Sequence, residues 1–360
     1  MSRQAGGRPG PPASGPVRQR VSGLDAAAAK PEMRARIAAY PGNLTFIDLI
    51  ARNRRSSTLL MMLMILLAAL MGSVIAAAFM AYGSGAGALE ELIPSAVLGG
   101  LAALLVALGA AAWSWYGGAS AILAFSGAQP VSRETDLELY NVVEEMAIAA
   151  GLPMPRVYII PDTAMNAFAT GRDPQHAAVA ITLGLRQKLT RDELQGVIAH
   201  EMAHVRHLDI RFSMLMATMV GLIVFAADAF WRIIRYAPRG RKGKEGGAAV
   251  IVLLVIAVLL SIIAPILARV IQMAYSRERE YLADAGAVEL TRNPEGLASA
   301  LQKLADDDDP LVDSANRGTA HMFIVNPLRK MRQAHQRINS MMSSHPPIQD
   351  RVARLLALAR

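Results

Sequence analysis

Apolar residues occur along this 360-residue chain as long uninterrupted runs and as short periodic stretches, and the alternation between the two predicts the architecture. Residues 57–82, opening STLLMMLMILL, carry no charge and are long enough to cross ~30 Å of hydrocarbon as a helix. After the linker GSGAGALEE, a second run extends from Ile93 to Ala112 and ends on Trp113, Trp115 and Tyr116, aromatic residues suited to a membrane–water interface. The pair predicts a transmembrane hairpin over 46–118, with spans near 57–81 and 93–113. Two further runs, near 212–231 and 248–270, predict a second apolar hairpin within 212–271.

Between and after the hairpins the pattern is that of a globular domain in two parts, 119–211 and 272–360. Glu134 to Gly151 has helical spacing of apolar positions. Pro153, Pro155 and Pro161 bracket RVYII, a strand, and NAFATG at 166–171 and AAVAITL at 177–183 read as two more strands joined by the turn-forming RDPQH. Thr190, with Glu193 three residues on, is an N-cap signature that opens a helix carrying LQGVIAHEMAHVRH. The chain ends on HPPIQDRVARLLALAR, an amphipathic helix after a Pro-Pro stop, and has no internal repeat. Residues 1–45 are rich in Gly, Pro, Ala and Arg without periodicity, which predicts a disordered basic tail.

Composition narrows the class. With 53% hydrophobic residues and a mean hydropathy of +0.30, the chain is too apolar for an ordinary soluble enzyme. The formal charge of +8 could suggest nucleic acid, but only 5% of residues are aromatic and no base-stacking motif accompanies the basic runs, so no nucleic-acid partner is expected. The basicity reads instead as cytoplasmic-face charge facing lipid headgroups. There is no cysteine, so any metal must be held by His, Asp or Glu. Arg52, Arg54 and Arg55 precede the first span while the first linker carries only Glu90 and Glu91, which places both ends of the first hairpin in the cytoplasm. The second linker, RIIRYAPRGRKGKEGG, is strongly basic and would lie outside if both later runs cross. Either the first hairpin dominates orientation, or the second pair is an interfacial hairpin packed on the globular domain.

Candidate chemistry centres on His200-Glu201-Met202-Ala203-His204. Two histidines at i and i+4 lie on one helical face and can reach one Zn²⁺, and the Glu between them projects toward the water that such a metal activates. Glu201 is then the general base for hydrolysis. A catalytic zinc needs a third protein ligand. Residue 210, where a metzincin would carry its third His, is Ile. His207 could share the helical face but reads rather as a surface or supporting histidine. Downstream, SREREYLAD at 276–284 puts Glu280 and Asp284 one helical turn apart, so Glu280 can ligate while Asp284 receives the outer N–H of a ligating His; Glu278 is the local competitor.

NAFATG at 166–171, HEMAH at 200–204, SREREYLAD at 276–284 and HPPIQDR at 345–351, interrupted by an apolar pair, together resemble the M48 family of membrane zinc peptidases, and within it the HtpX-like heat-shock proteases. The resemblance covers about residues 45–360 and leaves the basic tail outside. It implies a gluzincin fold of the α+β class, mainly helical with a small antiparallel sheet. It also implies one zinc per chain on His200, His204 and Glu280, with Glu201 as base and Asp284 as supporting partner. The segment Asn166, Ala167, Phe168 and Ala169 is implied to be an edge strand on which an extended substrate pairs, and an exposed edge would hold a peptide through main-chain hydrogen bonds. In related membrane members a His and an Arg at the spacing of His345 and Arg351 look placed to stabilise the oxyanion, although Arg351 could equally pair with a carboxylate and His345 could belong to a capping loop. His176, His321 and His335 read as surface or structural residues.

The function so implied is a membrane-anchored zinc endopeptidase of the bacterial inner membrane, its domain facing the cytoplasm, acting on misfolded or damaged membrane proteins; that substrate class comes from the resemblance alone. Alternatives are a peptidase maturing one specific precursor and a non-catalytic membrane scaffold.

Overall fold

The structure, a computed structural model, describes residues 46–84, 89–236, 248–307 and 346–358. The predicted basic tail lies outside these residues, as does His345. Helix α1 (Phe46–Ser84) and helix α2 (Leu89–Phe125) form the first hairpin. Both extend beyond the expected spans, and α2 passes the expected boundary at 118, because a helix continues wherever its backbone ladder is kept, whether or not lipid surrounds it. Gly72 and Gly99 sit where the two helices come closest, beside Ala103 and Ala76, and a Cβ on either glycine would overlap the opposite helix. Small residues four apart let helix backbones approach, a main route to association in lipid.

Near the middle of the chain two more long helices follow, α6 (Asp209–Tyr236) and α7 (Ala248–Thr291). They lie against the first hairpin: Met64, Met71, Ala107, Met216, Met219, Ala264 and Ala268 belong to one buried cluster drawn from all four helices. Thr218 Oγ1 and Ser114 Oγ lie 2.9 Å apart across the α2–α6 contact. Among the described residues, four helical segments are long and apolar enough to cross a membrane, Arg55–Ala81, Glu90–Phe125, Asp209–Arg235 and Ile251–Gln272. They meet the globular part at one end of the bundle.

The globular part is built on a four-stranded sheet of β1 (Gln129–Pro130), β2 (Arg156–Ile160), β3 (Ala167–Thr170) and β4 (Ala178–Thr182), in the order β1-β2-β4-β3. The three strands read from the sequence are all present. The expected antiparallel sheet is mixed, since β2 and β4 run parallel while the other two pairings are antiparallel. The reason is topological: the chain leaves β2 for the outer position, forms β3, and returns as β4 into the space between them. Val179 and Ile181 face a core with Leu139, Val142, Val197 and Ile198, while Ala178 and Ala180 face Ile122 and Leu123 from α2, Met214 from α6 and the neighbouring Phe168 of β3. A sheet covered on both faces reads as unbroken apolar runs, as AAVAITL does.

Helices α3 (Leu137–Ala150), α4 (Leu183–Lys188), α5 (Arg191–His207), α8 (Pro294–Asp306) and α9 (Ile348–Leu358) complete the domain. Helix α3 starts where Asp136 accepts from the Leu139 N–H and stops at Gly151, whose φ of 65° suits glycine. Helix α5 starts on the predicted capping box of Thr190 and Glu193. The Glu193 carboxylate also accepts from Ser299 Oγ at 2.6 Å and Lys303 Nζ at 2.7 Å, which fastens α8 across the start of α5.

The close α1–α2 contact yields a prediction. In Gly99→Val the new side chain has to force the hairpin apart, at a cost of about 1–3 kcal/mol. Thermal unfolding of the detergent-solubilised protein is expected to move to lower temperature, and an unchanged midpoint would show that the contact is looser than described.

Candidate metal centre

The centre forms where α5 crosses α7. Gly286 on α7 lets the two helices approach, since a Cβ there would lie 2.8 Å from Ala203 Cβ. The crossing sets His200 and His204 opposite Glu280, and ligand atoms of these three lie within 4.8 Å of one another. The two imidazoles face each other through Nε2 atoms 3.2 Å apart. Glu280 Oε2 is 3.6 Å from His200 Nε2, and Oε1 is 3.7 Å from His204 Nε2. The structure thus brings together the three residues picked out in the sequence. His207 is buried rather than at the surface, at the α5–α7 contact near Gly286, and is not part of this group. The side chain of Glu278 lies outside the described ones.

Each imidazole is gripped from behind. His200 Nδ1 lies 3.0 Å from Asp284 Oδ1, as the one-turn spacing of Glu280 and Asp284 predicts. His204 Nδ1 lies 3.0 Å from Asp209 Oδ2, a partner the sequence reading did not pick out. Its only signal was an acidic residue just past the end of the motif helix, in HLD. There Leu208 turns into the left-handed region, φ 63°, and α6 begins. An ionised carboxylate can only accept, so in both pairs the proton sits on Nδ1 and the Nε2 lone pairs point at each other and at Glu280. Four acceptors so arranged repel unless a cation lies among them. Tetrahedral zinc with nitrogens at ~2.0–2.1 Å would hold two of them about 3.3 Å apart, close to the observed spacing.

Charge argues the same way. Glu201, Asp209, Glu280 and Asp284 are buried here with Arg279 and Arg351, four carboxylates against two guanidiniums, so the ionised set is short of two positive charges. Burial pushes the Glu201 carboxyl above the usual carboxylate range and Glu280 adds to it, while His200, His204 and a hydrogen bond from the backbone of Ala169 pull the other way. Burial works to raise Asp284 too, but Arg351 and the hydrogen bond from His200 outweigh it and hold Asp284 below its ordinary value.

Arg351, on α9, is fully buried. Its Nε and Nη2 donate to the two oxygens of Asp284 at 2.9 and 2.7 Å, and its Nη1 lies 3.1 Å from Glu280 Oε2. A guanidinium so engaged matches the carboxylate-pairing alternative and stands behind Glu280 and Asp284. Asn166 immediately precedes β3, and Ala167 to Ala169 lie on that strand, at the end of the sheet order. Their side chains are all buried, because α2, α5 and α6 cover both faces. Asn166 O accepts from Thr182 N, so the alternation of the ladder turns the backbone groups of Ala167 and Ala169 away from β4. His176 is exposed and pairs with Asp173.

The model of Peptidase family M48 matches residues 133–359, a range that contains every residue of the cluster. A Protease HtpX homolog of Dictyoglomus turgidum is 45% identical over 234 residues, 65% of this chain and 73% of that one. A Protease HtpX homolog of Ligilactobacillus salivarius is 39% identical over 307 residues, 85% of this chain and 97% of that one. Among solved structures, that of S. mikatae Ste24p aligns with a TM-score of 0.43 at 20% identity, covering 70% of this chain and 57% of that one. With the family match spanning the domain and a relative aligned over nearly its whole length, the chain belongs to peptidase family M48, as an HtpX-like membrane metalloprotease.

Proposed function

We propose that this metalloprotease is a zinc endopeptidase in which His200, His204 and Glu280 hold one Zn²⁺ and Glu201 is the general base. The observation that carries the reading is the pair of Nε2 atoms 3.2 Å apart, each with its Nδ1 committed to a carboxylate. When bound, zinc supplies Lewis acidity, lowering the pKa of water toward ~7 and stabilising negative charge on an attacked carbonyl. Glu201 takes the proton of the attacking water and passes it to the leaving amine. The Ala169 backbone holds that carboxylate in place. An extended substrate adds to the outer side of β3 through the outward carbonyls of Ala167 and Ala169, whose N–H groups already face Asn166 Oδ1 and Glu201, which puts its scissile bond beside Glu201. Arg351 keeps Asp284 ionised and Glu280 oriented.

The substrates are proteins whose susceptible bonds lie close to the membrane surface. Arg211 stacks over Trp115 at 4.7 Å and Arg172 over Tyr116 at 5.7 Å, which supports an interface at the level where α6 begins. His204 contacts Asp209, the first residue of that helix, so the metal centre sits just above this plane. Both hairpins span, with the domain on the cytoplasmic side of a bacterial inner membrane. The packing of α6 and α7 into one bundle with the first hairpin supports full crossing over an interfacial pair, and the arginines ahead of the first span outweigh the basic second linker.

Two outcomes are expected. Detergent-purified wild type and Glu201→Gln both bind about one zinc per chain, and only the wild type cleaves casein, in a chelator-sensitive way. Zinc-free, inactive wild type would overturn the proposal in favour of a scaffold; zinc without casein cleavage would point to a specific precursor. In Arg351→Met, Asp284 and Glu280 lose their buried cation, so stability falls by about 3–5 kcal/mol and zinc binds more weakly. Wild-type zinc affinity and melting in this variant would contradict the positioning role of Arg351.

A further inference from the structure

Behind His204 runs a line of buried polar side chains that ends on the first transmembrane helix. Asp209 Oδ2 faces His204 Nδ1, and the other oxygen, Oδ1, accepts from Arg279 Nη1. Arg279 Nη2 donates to Ser57 Oγ. Ser57, Asp209 and Arg279 are 0%, 3% and 4% exposed, and they come from α1, the first turn of α6, and α7. The guanidinium also lies over the Phe212 ring, 5.7 Å from its centre.

The same arrangement backs the other imidazole. His200 meets Asp284, which meets Arg351; His204 meets Asp209, which meets Arg279. In each case one carboxylate oxygen of the aspartate faces the imidazole Nδ1 and the guanidinium engages the same carboxylate from behind, which holds the ring with its Nε2 toward the ligand cluster. Packing alone gives no reason for the second set, since a buried ion pair contributes little that apolar residues of similar volume would not.

We propose that Asp209 and Arg279 are positioning residues for His204, and that Ser57 fastens them to α1, making the first transmembrane hairpin part of the metal-holding machinery. The proposal rests on reading His204 as a zinc ligand. Arg279 directly precedes Glu280, so one turn of α7 delivers a ligand and also locks the partner of another.

The test measures zinc affinity by chelator competition and visible absorption of the cobalt-substituted protein, on the full chain in detergent, with melting of the metal-free form as the folding control. Asp209→Asn is expected to weaken zinc binding about 10–100-fold and to alter the cobalt bands. That variant leaves Arg279 without its anion, so the double variant Asp209→Asn with Arg279→Gln is made beside it. The double variant is expected to melt like wild type when metal-free, yet to keep the weakened zinc binding and altered cobalt bands. Ser57→Ala is expected to weaken zinc about 2–10-fold, the worth of one hydrogen bond. Wild-type affinity and cobalt bands in the double variant would overturn the positioning role, and so would loss of its metal-free fold, since the pair would then be a structural requirement. Unchanged affinity in Ser57→Ala would overturn the link to the hairpin. A wild type that binds no zinc would overturn the metal reading itself, an outcome distinct from all of these.

Discussion

Four carboxylates, two guanidiniums and two imidazoles packed out of water impose the constraint around which the rest of this structure is arranged. Isolated buried charges of this kind are costly, and the ion pairs of Arg279 with Asp209 and of Arg351 with Asp284 offset part of that cost. Five elements supply these groups: α5 the imidazoles and Glu201, α6 Asp209, α7 Arg279, Glu280 and Asp284, α9 Arg351, and the edge strand β3 a backbone hydrogen bond to Glu201. Segments far apart in the chain are thereby required to meet at one place, and the apolar packing around them excludes the water that would otherwise weaken every contact.

That packing depends on small residues at the crossings. Gly286 admits α7 against α5 at Ala203, and Gly196 admits α8 against α5, where a Cβ would come within 2.7 Å of Leu297 N. Gly72 and Gly99 do the same between the first two transmembrane helices. The sheet lies between α3 and α5 on one face and the ends of α2 and α6 on the other, so the helical bundle forms one wall of the enzyme's core.

Much of this was legible in the sequence, for physical reasons. The spacing of His200 and His204, and of Glu280 and Asp284, is the period of a helix, so both halves of the centre could be read locally. The capping box at Thr190, the strand RVYII and the helix after Pro346 and Pro347 are likewise local signals, and each stands where it was expected. The parts that escaped depend on tertiary contacts. Asp209 reaches His204 through a turn at Leu208, Arg279 reaches Asp209 through a helix crossing, and Arg351 reaches Asp284 because α9 docks against α7. Helix ends were not legible, because hydropathy marks apolar stretches, whereas α2 and α7 run on into the domain.

Helix α7 is a single element from Ala248 to Thr291, with its apolar stretch ending at Gln272 and Glu280 beyond it. Pro265 lies within the apolar stretch, a place where a helix bends. From Pro265 to Glu280 is about 22 Å at 1.5 Å per residue, so a tilt of roughly five degrees about that point swings the carboxylate by about 2 Å, as much as a metal–oxygen bond is long. Because one helix runs from the apolar stretch to Glu280, a small change of angle at one end is an ångström-scale displacement at the other.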